Sequence, residues 1–110
     1  MFHHRRALQY ASLMTYAWLA LAGDAYAQSA ATLRIESLAA SCAGCHGTNG
    51  RAAAGSAMPR LAGMPRDRFV AQMRAFQENR RPATVMHQIA KGYDAEQIHE
   101  LAAYFERQGP

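Results

Sequence analysis

Three observations make this chain all-α. Four stretches carry apolar residues at helical spacing, and no stretch alternates apolar and polar residues as a half-buried strand does. The third is a five-residue cluster, Cys42-Ala43-Gly44-Cys45-His46, which sets two thiols and an imidazole at the end of one stripe and supplies a common centre. The expected architecture is about four helices around that centre, in one small domain.

Ile35, Leu38, Ala39 and Cys42 fall at i, i+3, i+4 and i+7, an amphipathic stripe that delivers the first thiol to a helix end. From Gly47 to Gly63 the chain is rich in Gly, Ala and Asn, with Gly50 and Gly55 as further breakers, and reads as a loop wrapping one edge of the bound group. Pro65 suits the first turn of a second helix, whose stripe is Phe69, Val70, Met73 and Phe76, running to Asn79 and ending before Arg80-Arg81-Pro82. Thr84 is expected to cap a short third helix holding Val85, Met86, Ile89 and Ala90, with Gly92 in a left-handed stop. Asp94 and Gln97 form an Asp-x-x-Gln capping box, and Ile98, Leu101, Ala102 and Phe105 make the buried face of the last helix. There is no internal repeat and no second Cys-x-x-Cys.

The first residues speak to compartment. His3-His4-Arg5-Arg6 precede an apolar stretch from Ala7 to Ala22, and Ala25-Tyr26-Ala27 follows as a small-x-small end. That order describes a cleavable signal over residues 1–27 and a mature domain over 28–110, exported to the periplasm. As a retained anchor the stretch is short: about 16 residues, interrupted by Gln9, Tyr10, Ser12 and Thr15, against roughly 20 for a span. No stable membrane span is expected after cleavage. The signal takes Arg5, Arg6 and Asp24 with it, lowering the formal charge of +4 by one. No Lys/Arg run is interleaved with aromatics, so nucleic acid is not an expected partner.

The spacing of Cys42, Cys45 and His46 is the attachment grammar of a c-type haem. Both thiols add to the haem vinyl groups, and the adjacent imidazole becomes an axial iron ligand. One covalently attached haem c is therefore the expected cofactor, and it would act as a large apolar filler in a domain near the size where a core alone is marginal. Two other chemistries use such thiols. A redox-active dithiol sits at a strand-to-helix junction of an α/β fold, and no strands are expected here. A zinc site needs four protein ligands, and only His46 joins the thiols at suitable spacing.

A six-coordinate haem needs a second axial ligand, and thioether sulfur raises the potential relative to a second imidazole. The candidates are Met58, Met64, Met73 and Met86, with His87 and His99 as nitrogen alternatives. Met73 lies in a helical stripe where methionine serves as core filler, and Met58 and Met64 are so close to the motif that reaching the opposite face demands a tight wrap. Met86 lies 40 residues after His46, with room to cross, and is the favoured ligand. His87 points about 100° away from Met86 on a helix and is expected to be solvated. Pro59, 13 residues after His46, offers a carbonyl that can accept the other ring N–H of His46.

These residues resemble those of class I c-type cytochromes, and more narrowly of the haem subunit of flavocytochrome c sulfide dehydrogenase. The likeness runs from about Leu38 to Phe105. It is carried by the segment Leu38 to Gly47, by Pro59-Arg60-Leu61-Ala62-Gly63, and by the run Arg81 to Tyr93 followed by Leu101-Ala102-Ala103-Tyr104-Phe105. The resemblance implies a class I cytochrome c fold, thioether anchors at Cys42 and Cys45, axial ligands His46 and Met86, and a flavoprotein partner that oxidises sulfide and passes electrons to the haem. It implies an electron-transfer subunit rather than an enzyme in its own right, with other cytochromes or a terminal oxidase as acceptors. A free periplasmic shuttle and a thiol-disulfide protein are the alternative expectations.

Overall fold

The computed structural model describes Tyr26 and residues 28–109 of the 110-residue chain. The chain divides into two compact units, Met1–Arg34 and Ile35–Pro110. Of the first, residues 28–34 are helical, and apart from Tyr26 the expected signal over 1–27 lies outside the described residues.

The second unit is all helix, turn and loop among the described residues. Residues 35–40 form its opening helical segment, α1, followed by a single turn, α2, at Ala43–His46, and a short 3-10 turn at Thr48–Gly50. Three longer pieces follow: α3 over Arg66–Gln77, α4 over Met86–Lys91 and α5 over Ala95–Arg107. The four expected helices are present, but in α4 the expected stripe is only partly buried, with Val85 outside the helix and both Val85 and Ile89 exposed; α2 is an addition too short for any periodicity to announce.

α5 is the spine of the core. Ile98, Leu101, Ala102 and Phe105 are buried along one face, with Leu101 and Phe105 fully so. Its start is fixed by a reciprocal box: Asp94 accepts from the Gln97 backbone at 2.8 Å, and the Gln97 side chain accepts from the Asp94 N–H at 3.0 Å. α3 lays Phe69, Val70 and Met73 against it, with the Phe69 and Phe105 rings 5.6 Å apart. α1 contributes Ala39 to the same core.

The loop between the 3-10 turn and α3 is closed at its base. The Gly50 carbonyl accepts from both Leu61 (2.9 Å) and Ala62 (3.1 Å), and the Gly63 N–H donates to Phe105 at 2.8 Å. Gly50 is required there twice over. Its φ is +73°, and a Cβ would lie 2.8 Å from both Leu61 and Phe105. This closure fixes the level at which Pro59 faces α2.

Four helix ends differ from expectation. Pro65 occupies the residue before α3, with φ −55° and ψ 139°, instead of its first turn. α3 stops at Gln77, and the left-handed residue after it is Asn79 (φ 55°). Thr84 does not cap α4: Val85 holds the capping position without a side-chain bond. Gly92 ends α4 in a right-handed conformation (φ −76°), so the expected left-handed stop is absent there.

Candidate haem-attachment site

Cys42 immediately precedes α2, and Cys45 and His46 lie within it. The His46 N–H donates to the Cys42 carbonyl at 2.9 Å, closing one helical turn. Residues three and four apart on such a turn share a face, so both thiols and the imidazole project the same way. Gly47 then leaves at φ +81°, where a Cβ would be 2.3 Å from the Arg51 carbonyl. A sharp exit is therefore built into the residue after the histidine.

His46 Nδ1 lies 2.7 Å from the Pro59 carbonyl oxygen. A carbonyl only accepts, so Nδ1 carries the proton and donates it. The consequence is electronic: in the neutral ring the lone pair then sits on Nε2, and the ring plane is held by the bond on its other side. That is the preparation an imidazole needs before it meets a metal.

Cys42 and Cys45 are both free thiols. Cys42 is half-buried, and burial pushes its thiol above the ordinary value, opposed in part by the Ser41 hydroxyl 3.9 Å away. An attacking dithiol needs its nucleophile depressed toward neutrality, so this environment speaks against thiol-disulfide chemistry. Among the described residues no group of three or more His, Cys, Asp or Glu side chains is placed to hold a metal ion.

The motif opens on a cleft of about 290 Å³. Beside Cys42, Cys45, His46 and Pro59, its walls are Leu61, Phe69, Phe76, Val85, Ile89 and Tyr93, and among the described residues Arg81 is the only Lys, Arg, Asp or Glu that lines it. All four candidate methionines, Met58, Met64, Met73 and Met86, line it as well. The cleft thus combines an apolar lining, two thiols, a prepared imidazole and thioether sulfurs, which is the donor set and solvent character a covalently attached porphyrin requires.

Neither His87 nor His99 lines the cleft. His99 is exposed on α5. His87 corrects an expectation in a different way: it is half-buried, not solvated, with Nε2 donating to the Arg81 carbonyl at 2.7 Å and its ring edge-on to Phe76. The 100° offset from Met86 turned it toward α3 and the preceding loop, not toward water. Sequence reasoning missed Gln77, which ties α3 to the end of α4, and the 2.7 Å bond between the Tyr93 and Ser41 hydroxyls. Polar residues on amphipathic helices carry no signal of which partner the tertiary fold will supply.

Fold and cleft together define an all-α haem c protein. The family model for cytochrome c matches residues 34–108, and the chain belongs to that family. It is 42% identical over 72 residues to the cytochrome subunit of sulfide dehydrogenase of Chlorobaculum tepidum, covering 66% of this chain and 64% of that one. It is 36% identical over 106 residues to the thiosulfate dehydrogenase electron acceptor of Thiomonas intermedia, covering 96% and 45%. With cytochrome c-552 of Acidithiobacillus ferridurans it shares 32% over 114 residues, covering 100% and 48%. The chain thus spans between about half and two thirds of the length of these curated relatives.

Proposed function

We propose that this chain is a periplasmic electron-transfer protein, the cytochrome subunit that accepts electrons from a sulfide-oxidising flavoprotein. In this reading residues 1–27 are removed on export. Cys42 and Cys45 form the two thioethers, His46 and Met86 are the axial ligands, and the Pro59 carbonyl orients His46. The observation that carries the site is the 2.7 Å contact between His46 Nδ1 and the Pro59 carbonyl, because it fixes the ring and selects the tautomer in which the neutral imidazole offers Nε2 as a ligand.

Among the methionines the surroundings favour Met86. Met58 is exposed and directly precedes Pro59, whose carbonyl is held by His46. Met64 and Met73 are buried members of the core. Met86 stands partly buried at the first residue of α4, packed against that core without belonging to it.

The haem, when bound, supplies a one-electron ferric–ferrous cycle. The chain's own residues do the rest. His46 is held in one tautomer, the apolar lining excludes water, and α4 presents its thioether from a fixed seat. No bond of a substrate is made or broken in this reading. A sulfide-oxidising partner is supported by the 42% identity to a protein named as the cytochrome subunit of sulfide dehydrogenase, and the flavin in that partner rests on the family resemblance. A free shuttle is favoured by a different observation, the likeness over 96% of the chain to a protein named as an electron acceptor.

Two experiments test the reading. Met86→Ala should abolish the sulfur-to-iron charge-transfer band at the red end of the ferric spectrum, and an intact band would transfer the role to Met58 or Met64. Gentle purification should yield a stable complex containing flavin. A persistent lone monomer would favour the shuttle.

A further inference from the structure

α4 has six residues, and no side chain caps its start. A helix this short does not hold itself together in water, so its position must come from what grips it. Two grips are visible. At its second residue, His87 ties back to the Arg81 carbonyl, and the Arg81 guanidinium lies 5.1 Å over the Phe76 ring of α3. At its far end the grip is Gln77, the last residue of α3.

The half-buried Gln77 carboxamide donates from Nε2 to the carbonyls of Ala90 and Tyr93, each at 2.9 Å. One amide nitrogen thus uses both hydrogens. Ala90 is in the last turn of α4, where its carbonyl also accepts from the Tyr93 N–H at 3.2 Å, and Tyr93 is in the turn leading to α5. The same Tyr93 reaches with its hydroxyl to Ser41, 2.7 Å away and next to Cys42. Gln77 does not itself line the cleft.

We propose that Gln77 is a positioning residue: its two-carbonyl clamp sets the seat of α4 and thereby holds the Met86 thioether in place at the cleft. The inference rests on the reading of Met86 as an axial ligand. A purely structural role would lower the melting temperature and leave ligand retention unchanged.

The test uses the holoprotein in four variants. Gln77→Glu keeps the size and replaces both donor hydrogens with an acceptor facing two carbonyls. Gln77→Met keeps the stem without a donor, and decides the matter if the first does not fold. Tyr104→Phe removes a 3.0 Å bond to Asn49 elsewhere in the fold and controls for general loosening. Met86→Ala tests the reading beneath. Imidazole binding to the ferric form, the charge-transfer band and thermal melting are recorded for each. The clamp predicts imidazole affinity roughly tenfold higher in both Gln77 variants, the effect expected for losing one or two net hydrogen bonds, with no such gain in Tyr104→Phe. Parent-like affinity in both Gln77 variants, or a gain no larger than that of Tyr104→Phe, overturns the clamp. If the band also vanishes in Met86→Ala, the clamp alone has failed. A band that survives Met86→Ala overturns the ligand reading and the clamp with it.

Discussion

Cys42 and Cys45 are three residues apart and live in different media. Cys45 is exposed, whereas Cys42 is half-buried with its thiol pushed up by desolvation. Before haem attachment, alkylation at mildly alkaline pH should therefore modify Cys45 well ahead of Cys42, as peptide mapping would read. Equal rates would contradict the burial. The same shift has a stability sign. The folded haem-free chain holds the Cys42 proton more tightly than the unfolded one, so the stability this thiol contributes is complete below the unfolded thiol's range. It is lost as pH rises through the raised folded value. Chemical denaturation followed across that alkaline window should show the decline in the haem-free chain and none in a Cys42→Ala variant. His46 makes the complementary point. Its tautomer is decided by a backbone oxygen 13 residues away, which the sequence offered as a proline at a reachable spacing and the fold brought to 2.7 Å.

At the scale of elements, the ends of helices carry the most information per residue. The Asp94–Gln97 box was legible because both partners are side chains at fixed spacing, and Asp94→Ala should cost about 1 kcal/mol in chemical denaturation. The start of α4 was not legible. Thr84 has the right chemistry for a cap, but capping depends on the backbone angles at that position, and these put Val85 there. Asn79, not Gly92, adopts the left-handed conformation for the same reason. α2 is a single turn, too short to show a period. The loop base behaves oppositely. Gly50 looked like one breaker among several, yet it is the residue the closure depends on. Gly50→Ala must strain a positive φ and displace Phe105 or Leu61, so a loss of about 2–3 kcal/mol is expected in the same assay. Gly55→Ala, whose Cβ would meet nothing within 4 Å, should suffer only the strain of its positive φ.

For the whole molecule, the stripes of α3 and α5 sufficed to foresee an all-helical core, because burial follows period wherever a helix is long enough to show one. The cleft was foreseen only as chemistry. Two thiols and a histidine said what would be bound, whereas the apolar walls and the four converging methionines depend on packing that no local pattern encodes. No helix among the described residues is long and apolar enough to cross a membrane. The central claim is that Cys42 and Cys45 both anchor one haem whose iron His46 and Met86 bind. Mass spectrometry of the chain isolated from its native host, fully denatured and then digested, tests its covalent part most directly. The account predicts an intact mass higher than the polypeptide by one haem, and a single haem-bearing peptide containing Cys42 through His46 with both sulfurs blocked. A bare polypeptide mass with two alkylatable thiols would contradict it.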